Sequence, residues 1–183
     1  EVIYEQRRRV LDGENMRDNI LDMIDTNIES LVDTVITPEL DREEWDIHEL
    51  KRVLTQVIPL ENLTAESLAD IKRADKLEER LKEQAVELYE KKEAEFENPD
   101  DFREIERVVL LRAIDQHWMQ EIDDMAQLRQ GIGLPGYGQR NPVDEYKRIS
   151  YDMVDEMNQA IREDTVQMLY RIRIERPVER EEV

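Results

Sequence analysis

Apolar residues recur at three- and four-residue steps along most of this 183-residue chain, and this spacing limits the possible folds more than any other feature. Such steps place the side chains on one face of an α-helix. The first of these stripes consists of Met16, Ile20, Ile24, Ile28, Leu31 and Val35. Strict alternation of apolar and polar residues, which is typical of a half-buried strand, is short wherever it occurs. We therefore predict an all-α fold.

Prolines divide the helical pattern into segments. Thr37-Pro38 ends the first stripe, because the residue before a proline avoids the α conformation. Residues 1–36 are therefore predicted to form one long helix. Gly13 is its weak point, since an interior glycine costs up to about 1 kcal/mol relative to alanine. Residues 37–99 are bounded by prolines and are predicted to form a small helical insert.

The insert is predicted to contain three helices. Asp46-Ile47 begins the first, and Thr64 caps the second. The third is the longest, and its apolar stripe consists of Leu77, Leu81, Ala85 and Leu88.

Two more long helices are predicted within residues 100–176, on either side of a glycine-rich turn at 131–142. The stripe before the turn consists of Leu110 or Leu111, Ile114, Trp118, Ile122, Met125, Leu128 and Ile132. The stripe after it consists of Val143, Tyr146, Ser150, Met153, Met157, Ile161, Met168 and Ile172. Because a short loop joins them, the two helices are expected to be antiparallel neighbours. We interpret the methionines as core rather than as an adaptable binding surface. Residues 177–183 form a charged tail.

Composition excludes several classes of protein. The absence of cysteine excludes disulfides and thiolate zinc sites, and two histidines are too few for a histidine-rich metal site. The formal net charge of −20 excludes a generally basic nucleic-acid-binding protein, so no nucleic-acid partner is expected. No run of about 18 apolar residues is present that would predict a membrane span. The chain begins at Glu1 without a cationic leader, from which we expect a fragment of an intracellular protein.

Four of the five glycines, Gly131, Gly133, Gly136 and Gly138, fall within eight residues. The first three match the dinucleotide-binding pattern G-x-G-x-x-G. That pattern requires a preceding strand, whereas the preceding element here is predicted to be helical. We therefore interpret the cluster as a turn between helices, where glycine accommodates a left-handed backbone. The sequence G-x-x-x-x-G-K-S/T does not occur, so no phosphate-binding loop of that type is predicted.

Neither the acidic residues nor the histidines indicate catalysis. Acidic pairs such as Asp123-Asp124 are interpreted as solvent-facing charge. A di-carboxylate metal site would need Glu-x-x-His, which neither His48 nor His117 provides. Trp118 is interpreted as a core or helix–helix contact and His117 as a boundary residue. No catalytic, cofactor-binding or metal-binding residue is therefore predicted.

The turn differs from the rest of the chain in its charge. Residues 131–150 hold three basic residues against two acidic ones, whereas every other segment is net acidic. Tyr137 stands between two glycines at the apex. An aromatic ring there either folds back on its own hairpin or contacts a partner, and the residues alone leave both alternatives open.

Several ungapped motifs resemble one known family. Residues 113–118 read AIDQHW, residues 128–142 read LRQGIGLPGYGQRNP, and residues 145–147 read EYK. These motifs resemble the helical scaffold and two-helix finger of SecA, the bacterial preprotein translocase ATPase family. The sequence IYEQR at 3–7 resembles the start of the scaffold helix. The residues WDI at 45–47 and AVELYEKKE at 85–93 resemble the helical wing.

The resemblance implies a long scaffold helix and an antiparallel two-helix finger, with a small helical wing inserted between them. Residues 1–36 would be the first scaffold helix, residues 37–99 the wing, and residues 100–176 the rest of the scaffold with the finger. The chain would belong to a motor that drives unfolded preproteins through the SecY channel. ATP and magnesium would bind to motor domains outside it, so the chain alone is expected to be inactive as an ATPase.

The resemblance also implies a contact site for the translocating polypeptide at the finger tip. The residues concerned are Tyr137, Gly136, Gln139, Arg140 and Pro135. Pro135 stands where the family usually has arginine, and Glu121-Ile122 stand where it commonly has histidine.

The implied partners are the SecY channel complex, the unfolded preprotein, the parent's own motor domains and a second copy in a homodimer. The implied location is the cytoplasm, with peripheral association on the cytoplasmic face of the bacterial inner membrane. The alternative is a stand-alone helical adaptor that binds other proteins without motor activity.

Overall fold

The computed structural model describes residues 2–132 and 141–174. Within these ranges the chain forms α-helices, one short 3-10 helix and no strand, which confirms the predicted all-α fold. The α-helices are α1 (Val2–Leu11), α2 (Arg17–Val35), α3 (Ile47–Thr55), α4 (Ala74–Ala94), α5 (Pro99–Ile132) and α6 (Pro142–Arg171), and the 3-10 helix is Arg42–Glu44.

The predicted single helix over residues 1–36 is wrong, because the segment is divided at Gly13 into α1 and α2. Gly13 has a φ of +78°, a left-handed conformation that ends α1. Two arginines form hydrogen bonds to Glu14, the residue that follows Gly13. Arg9 Nε donates to Glu14 Oε2 at 2.7 Å, and Arg107 of α5 donates to the Glu14 carbonyl at 3.5 Å. The local preference of glycine therefore overrides the continuous helical spacing.

Helix α2 packs against α3, α4, α5 and α6 and carries much of the core. Its predicted stripe is confirmed, with full burial of Ile20, Ile24 and Ile28. Asn27 is buried on the same helix, and its Nδ2 donates to the Arg162 carbonyl of α6 at 3.1 Å. A buried amide needs such a partner, so this hydrogen bond fixes the position of α2 along α6.

The insert contains two of its three predicted helices, α3 and α4. Asp46 caps α3 by accepting a hydrogen bond from the Glu49 backbone nitrogen at 3.0 Å. The helix predicted at Thr64 is absent. The hydroxyls of Thr64 and Ser67 instead accept from each other's backbone nitrogens, both at 3.1 Å, and close a turn. Local capping chemistry is present there, but no helix follows it.

The two long helices of the second half are present, although α6 is shorter than predicted. Helix α5 spans 34 residues from Pro99, with Asp100 and Asp101 in its first turn. Helix α6 ends at Arg171 rather than near residue 176, because Ile172 is extended. The Ile172 carbonyl accepts from Lys92 Nζ at 2.6 Å, which satisfies it outside a helix.

Buried residues of all six helices form one continuous hydrophobic cluster. Helix α4 contributes Leu77, Leu81, Ala85 and Tyr89 to it, and packs on both α2 and α5. The domain boundaries at 36, 99 and 176 therefore stay predictions.

Candidate functional site

Helices α5 and α6 form an antiparallel hairpin, as the short connection predicted. Near its base, His117 of α5 hydrogen-bonds Asp164 of α6. Farther out, Arg129 Nε donates to the Tyr146 hydroxyl at 3.2 Å. Residue numbers therefore rise along one helix as they fall along the other. His117, which sequence reasoning placed at a boundary, is half-buried and forms an inter-helix pair.

The predicted finger-tip residues, Pro135, Gly136, Tyr137, Gln139 and Arg140, lie outside the described residues. The described part of the hairpin ends at Ile132, the last residue of α5, and resumes at Asn141. Gly131 lies within α5, so the first glycine of the cluster is helical. The proposed contact of Tyr137 with a partner stays a prediction.

The outer end of the hairpin carries a polar contact between its two helices. The Arg129 guanidinium lies 5.7 Å from the centre of the Tyr146 ring, and its Nε hydrogen-bonds the hydroxyl. This hydrogen bond lowers the pKa of Tyr146. Asn141 Oδ1 accepts from the Val143 backbone nitrogen at 3.0 Å and caps α6. The described residues nearest the tip thus have a defined geometry.

Helix α1 braces the hairpin near its base. Arg7 Nε donates to Asp115 Oδ1 at 2.7 Å, and the rings of Tyr4 and Trp118 meet edge to face with centroids 4.9 Å apart. The interpretation of Trp118 as a helix–helix contact is confirmed. The pairs Arg7–Asp115 and Tyr4–Trp118 show that α1 is antiparallel to α5.

A buried polar network joins α2, α4 and α5. Glu93 of α4 accepts from Arg17 Nε of α2 at 2.9 Å and forms an ion pair with Arg103 of α5. Glu106 of α5 is fully buried and accepts a hydrogen bond from the Tyr89 hydroxyl of α4. Its other carboxylate oxygen lies 3.1 Å from Arg103 Nε. Arg103 therefore lies between two carboxylates.

The carboxylates of this network respond differently to burial. Burial raises the pKa of Glu106, although the hydrogen bond from Tyr89 opposes it. Burial would also raise the pKa of Glu93, but hydrogen bonds from Arg17 and Arg103 outweigh it and lower that pKa. The network therefore holds α4 against α2 and α5 through the half-buried carboxylate of Glu93 and the fully buried carboxylate of Glu106. Sequence reasoning did not identify it, because its members lie far apart in the chain.

Beyond Trp118, α5 departs from its predicted stripe. Ile122 is 53% exposed, whereas the neighbouring Glu121 is only 7% exposed. The two residues border a groove of about 480 Å³ between α1, α5 and α6, which also includes Ile3, Met125 and Met157. At this turn of α5 the buried side chain is therefore Glu121 rather than Ile122, whereas Met125 and Leu128 of the predicted stripe are half-buried. Sequence reasoning noted Glu121 only as a departure from the family pattern.

Within the described ranges, no group of three or more acidic or histidine side chains could hold a metal ion. No helix in those ranges is both long and apolar enough to cross a membrane.

Comparison with known proteins identifies the family. The family model described as the SecA wing and scaffold domain matches residues 1–173. The chain belongs to the SecA family. Over its whole length it is 54% identical to the protein translocase subunit SecA of Lachnoclostridium phytofermentans, of which it covers 21%.

Two other SecA relatives give similar coverage. The chain is 44% identical to SecA of Carboxydothermus hydrogenoformans over 98% of its length, and 42% identical to SecA of Pelotomaculum thermopropionicum over 97%. It covers 20% of each of these proteins. The chain thus spans about a fifth of the length of the curated SecA relatives that it matches.

Proposed function

We propose that this chain is the helical wing and scaffold part of a SecA translocase, and that its α5–α6 hairpin acts on a polypeptide in transit. The observation that carries the proposal is a long hairpin held firmly at its base. Helix α5 has 34 residues, which corresponds to about 50 Å at the helical rise. The Arg7–Asp115 and Asn27–Arg162 contacts attach the base to α1 and α2.

A hairpin held in this way transmits displacement. Because its two helices pack along their lengths and its base is joined to α1 and α2, a movement applied there carries the outer end with it. No residue needs to carry out chemistry for this role. ATP would be hydrolysed by motor domains elsewhere in the parent protein, and the 183-residue chain alone is expected to show no ATP turnover.

The proposed working end is the loop that contains Tyr137. The ring would contact the translocating polypeptide, with Gly136, Gln139, Arg140 and Pro135 forming the surrounding surface. Aromatic side chains suit this task, since they supply large contact area with few rotatable bonds. The proposed partners are the SecY channel, the unfolded preprotein and the parent's motor domains, together with a second SecA copy. This assignment implies a peripheral position on the cytoplasmic face of the bacterial inner membrane.

The experiment is translocation of a preprotein by the full-length parent carrying Tyr137→Ala, in vesicles that contain the SecY channel. We expect the transport rate to fall severalfold while ATP hydrolysis without preprotein stays at the wild-type rate. The matched control is Tyr151→Ala, which removes a ring that is 72% exposed on α6 of the same hairpin. Its transport rate should equal that of the wild type.

Equal transport by wild type and Tyr137→Ala would contradict the role of the tip. If the parent neither hydrolyses ATP nor moves a preprotein, the chain is the helical adaptor that the sequence left as the alternative. Circular dichroism and thermal unfolding of each variant separate a loss of function from a loss of fold.

A further inference from the structure

We propose that Arg129 of α5 and Tyr146 of α6 are positioning residues for translocation. Their contact, the outer contact, keeps the outer ends of the two helices together, so that a displacement of the hairpin base reaches its outer end. The inference rests on the proposed function, in which the hairpin acts on a polypeptide. It names the side chains that make the two helices move as one body.

The outer half of the hairpin has no hydrophobic core within the described residues. The last buried apolar side chain of α5 is Ile114, and the first of α6 is Met157. Beyond Ile114, α5 continues to Ile132, which is about 27 Å farther at the helical rise. The apolar side chains of α5 in this stretch that are not exposed, such as Met125 and Leu128, are half-buried. Burial of apolar surface therefore holds the outer half less firmly than the base.

Tyr146 contacts α5 at two points. Its hydroxyl accepts a hydrogen bond from Arg129 Nε at 3.2 Å, and the guanidinium lies 5.7 Å from the centre of its ring. The same hydroxyl donates to Met125 Sδ at 3.8 Å. Met125 and Arg129 are four residues apart and so lie on one face of α5. Contacts at two points on that face fix the rotation of α6 against α5 as well as the distance between them.

The outer contact lies where the two helices end. Arg129 is in the last turn of α5, and Tyr146 directly follows the first turn of α6. At the base, the same helices are joined by the hydrogen bond between His117 and Asp164. The hairpin is therefore held by polar contacts near both of its ends, with half-buried side chains between them.

Loss of the outer contact should weaken the coupling of the hairpin without unfolding it. Arg129 is exposed and Tyr146 is half-buried, and contacts of this kind contribute little to overall stability. Without the contact the outer ends of α5 and α6 separate more readily. Part of a displacement at the base is then lost as bending, and ATP is hydrolysed without movement of the preprotein.

The experiment measures how many ATP molecules the full-length parent hydrolyses for each preprotein transported into vesicles that contain the SecY channel. Arg129→Met removes the guanidinium and keeps an apolar stem, and Tyr146→Phe removes the hydroxyl and keeps the ring. This ratio separates coupling from folding. A variant that is partly unfolded loses transport and preprotein-stimulated hydrolysis together, so its ratio stays at the wild-type value.

We expect each variant to raise the ratio about two- to fivefold, the factor that corresponds to loss of one exposed contact. The double variant should raise it by less than the product of the two single effects, because both substitutions remove the same contact. The matched control is Gln159→Ala, which removes a hydrogen bond to Glu163 within α6. Its ratio should equal that of the wild type.

A second measurement follows the outer ends of the helices directly. Spin labels are attached at Gln127→Cys and Lys147→Cys, two exposed positions beside the outer contact, in a parent whose other cysteines are replaced by serine. These 183 residues contain no cysteine of their own. We expect Arg129→Met to broaden the distribution of label distances toward longer values, and Gln159→Ala to leave it unchanged.

A wild-type ratio in both single variants would overturn the inference, as would an unchanged distance distribution in Arg129→Met. Tyr137→Ala tests the proposed function separately. If it slows transport while the ratio of the outer-contact variants is that of the wild type, the proposed function stands and the inference is wrong. If it transports at the wild-type rate while those variants raise the ratio, the inference is supported and the role of the tip is wrong.

Discussion

The hydroxyl of Tyr89 on α4 donates a hydrogen bond to the carboxylate of Glu106 on α5, and both side chains are fully buried. The Tyr89 ring also packs against Phe102 and Tyr170, with ring centroids 5.3 and 5.7 Å apart. One side chain therefore joins the insert to α5 and α6 through both an apolar and a polar contact. Burial raises the pKa of Glu106 and of Tyr89. The hydroxyl thus remains a donor at neutral pH.

Tyr89→Phe is expected to destabilise the protein by about 1–3 kcal/mol, because it removes the donor to a fully buried carboxylate and keeps the ring. The free energy of unfolding in urea measures the effect. Tyr151→Phe is the matched control, since Tyr151 is exposed on α6, and it should change stability by less than about 0.5 kcal/mol. Equal stability of Tyr89→Phe and wild type would show that the hydrogen bond adds nothing to the packing of the ring.

Arg103→Met should be more damaging, with an expected loss of about 3–5 kcal/mol. Arg103 lies between Glu93 and Glu106, and its removal leaves the half-buried Glu93 and the fully buried Glu106 without their shared cation. Arg112→Met, on the exposed face of the same helix, is the matched control. Urea unfolding at pH 7 provides the comparison. A loss no greater than that of the control would mean that the network does not hold α4 against α5.

Much of this fold follows from the spacing of apolar residues. The spacing predicts α2, α5 and α6 and the antiparallel hairpin, because a buried helix face requires one apolar residue per turn. The same spacing predicts burial of Ile122, where the structure buries Glu121 instead. Periodicity cannot show this exchange, since the side chain that is buried at each turn depends on how α1 and α6 pack against α5.

Other features depend on contacts between residues distant in sequence. The partners of Arg103 and Glu106 come from helices that no local pattern links, so the sequence gives no sign of the network. The break between α1 and α2 at Gly13 could be predicted only in part. The sequence identifies the weak point, but the break also depends on Arg107, which hydrogen-bonds the Glu14 carbonyl from another helix.

Gly13→Ala is expected to cost about 1–2 kcal/mol, because alanine must adopt the left-handed conformation that ends α1. No neighbouring atom lies within 4 Å of the added Cβ, so the cost arises from the backbone alone. Gly131→Ala is the matched control. Its site is helical and equally open, so alanine should stabilise the protein by up to about 1 kcal/mol. Thermal unfolding shows whether each substitution lowers or raises the stability. A loss of stability in both variants would contradict the backbone explanation.

The stability difference between Glu121→Gln and wild type is expected to depend on pH. Burial raises the Glu121 pKa above its ordinary value of 4.5, and the charges of Asp124 and Glu156 raise it further. Between these two pKa values the folded protein binds more protons than the unfolded chain, so the wild type loses stability as pH rises through this interval.

Glutamine at this position does not titrate, so Glu121→Gln should gain stability relative to the wild type as pH increases from 4 to 7. We expect a gain of about 1 kcal/mol at pH 7 and little difference at pH 4. Urea unfolding at several pH values measures it. Removal of any negative charge from a chain of net charge −20 relieves some repulsion, and the exposed Glu97→Gln variant accounts for that general effect. An advantage of Glu121→Gln that is constant with pH, or matched by Glu97→Gln, would show that the burial of this carboxylate carries no energetic cost.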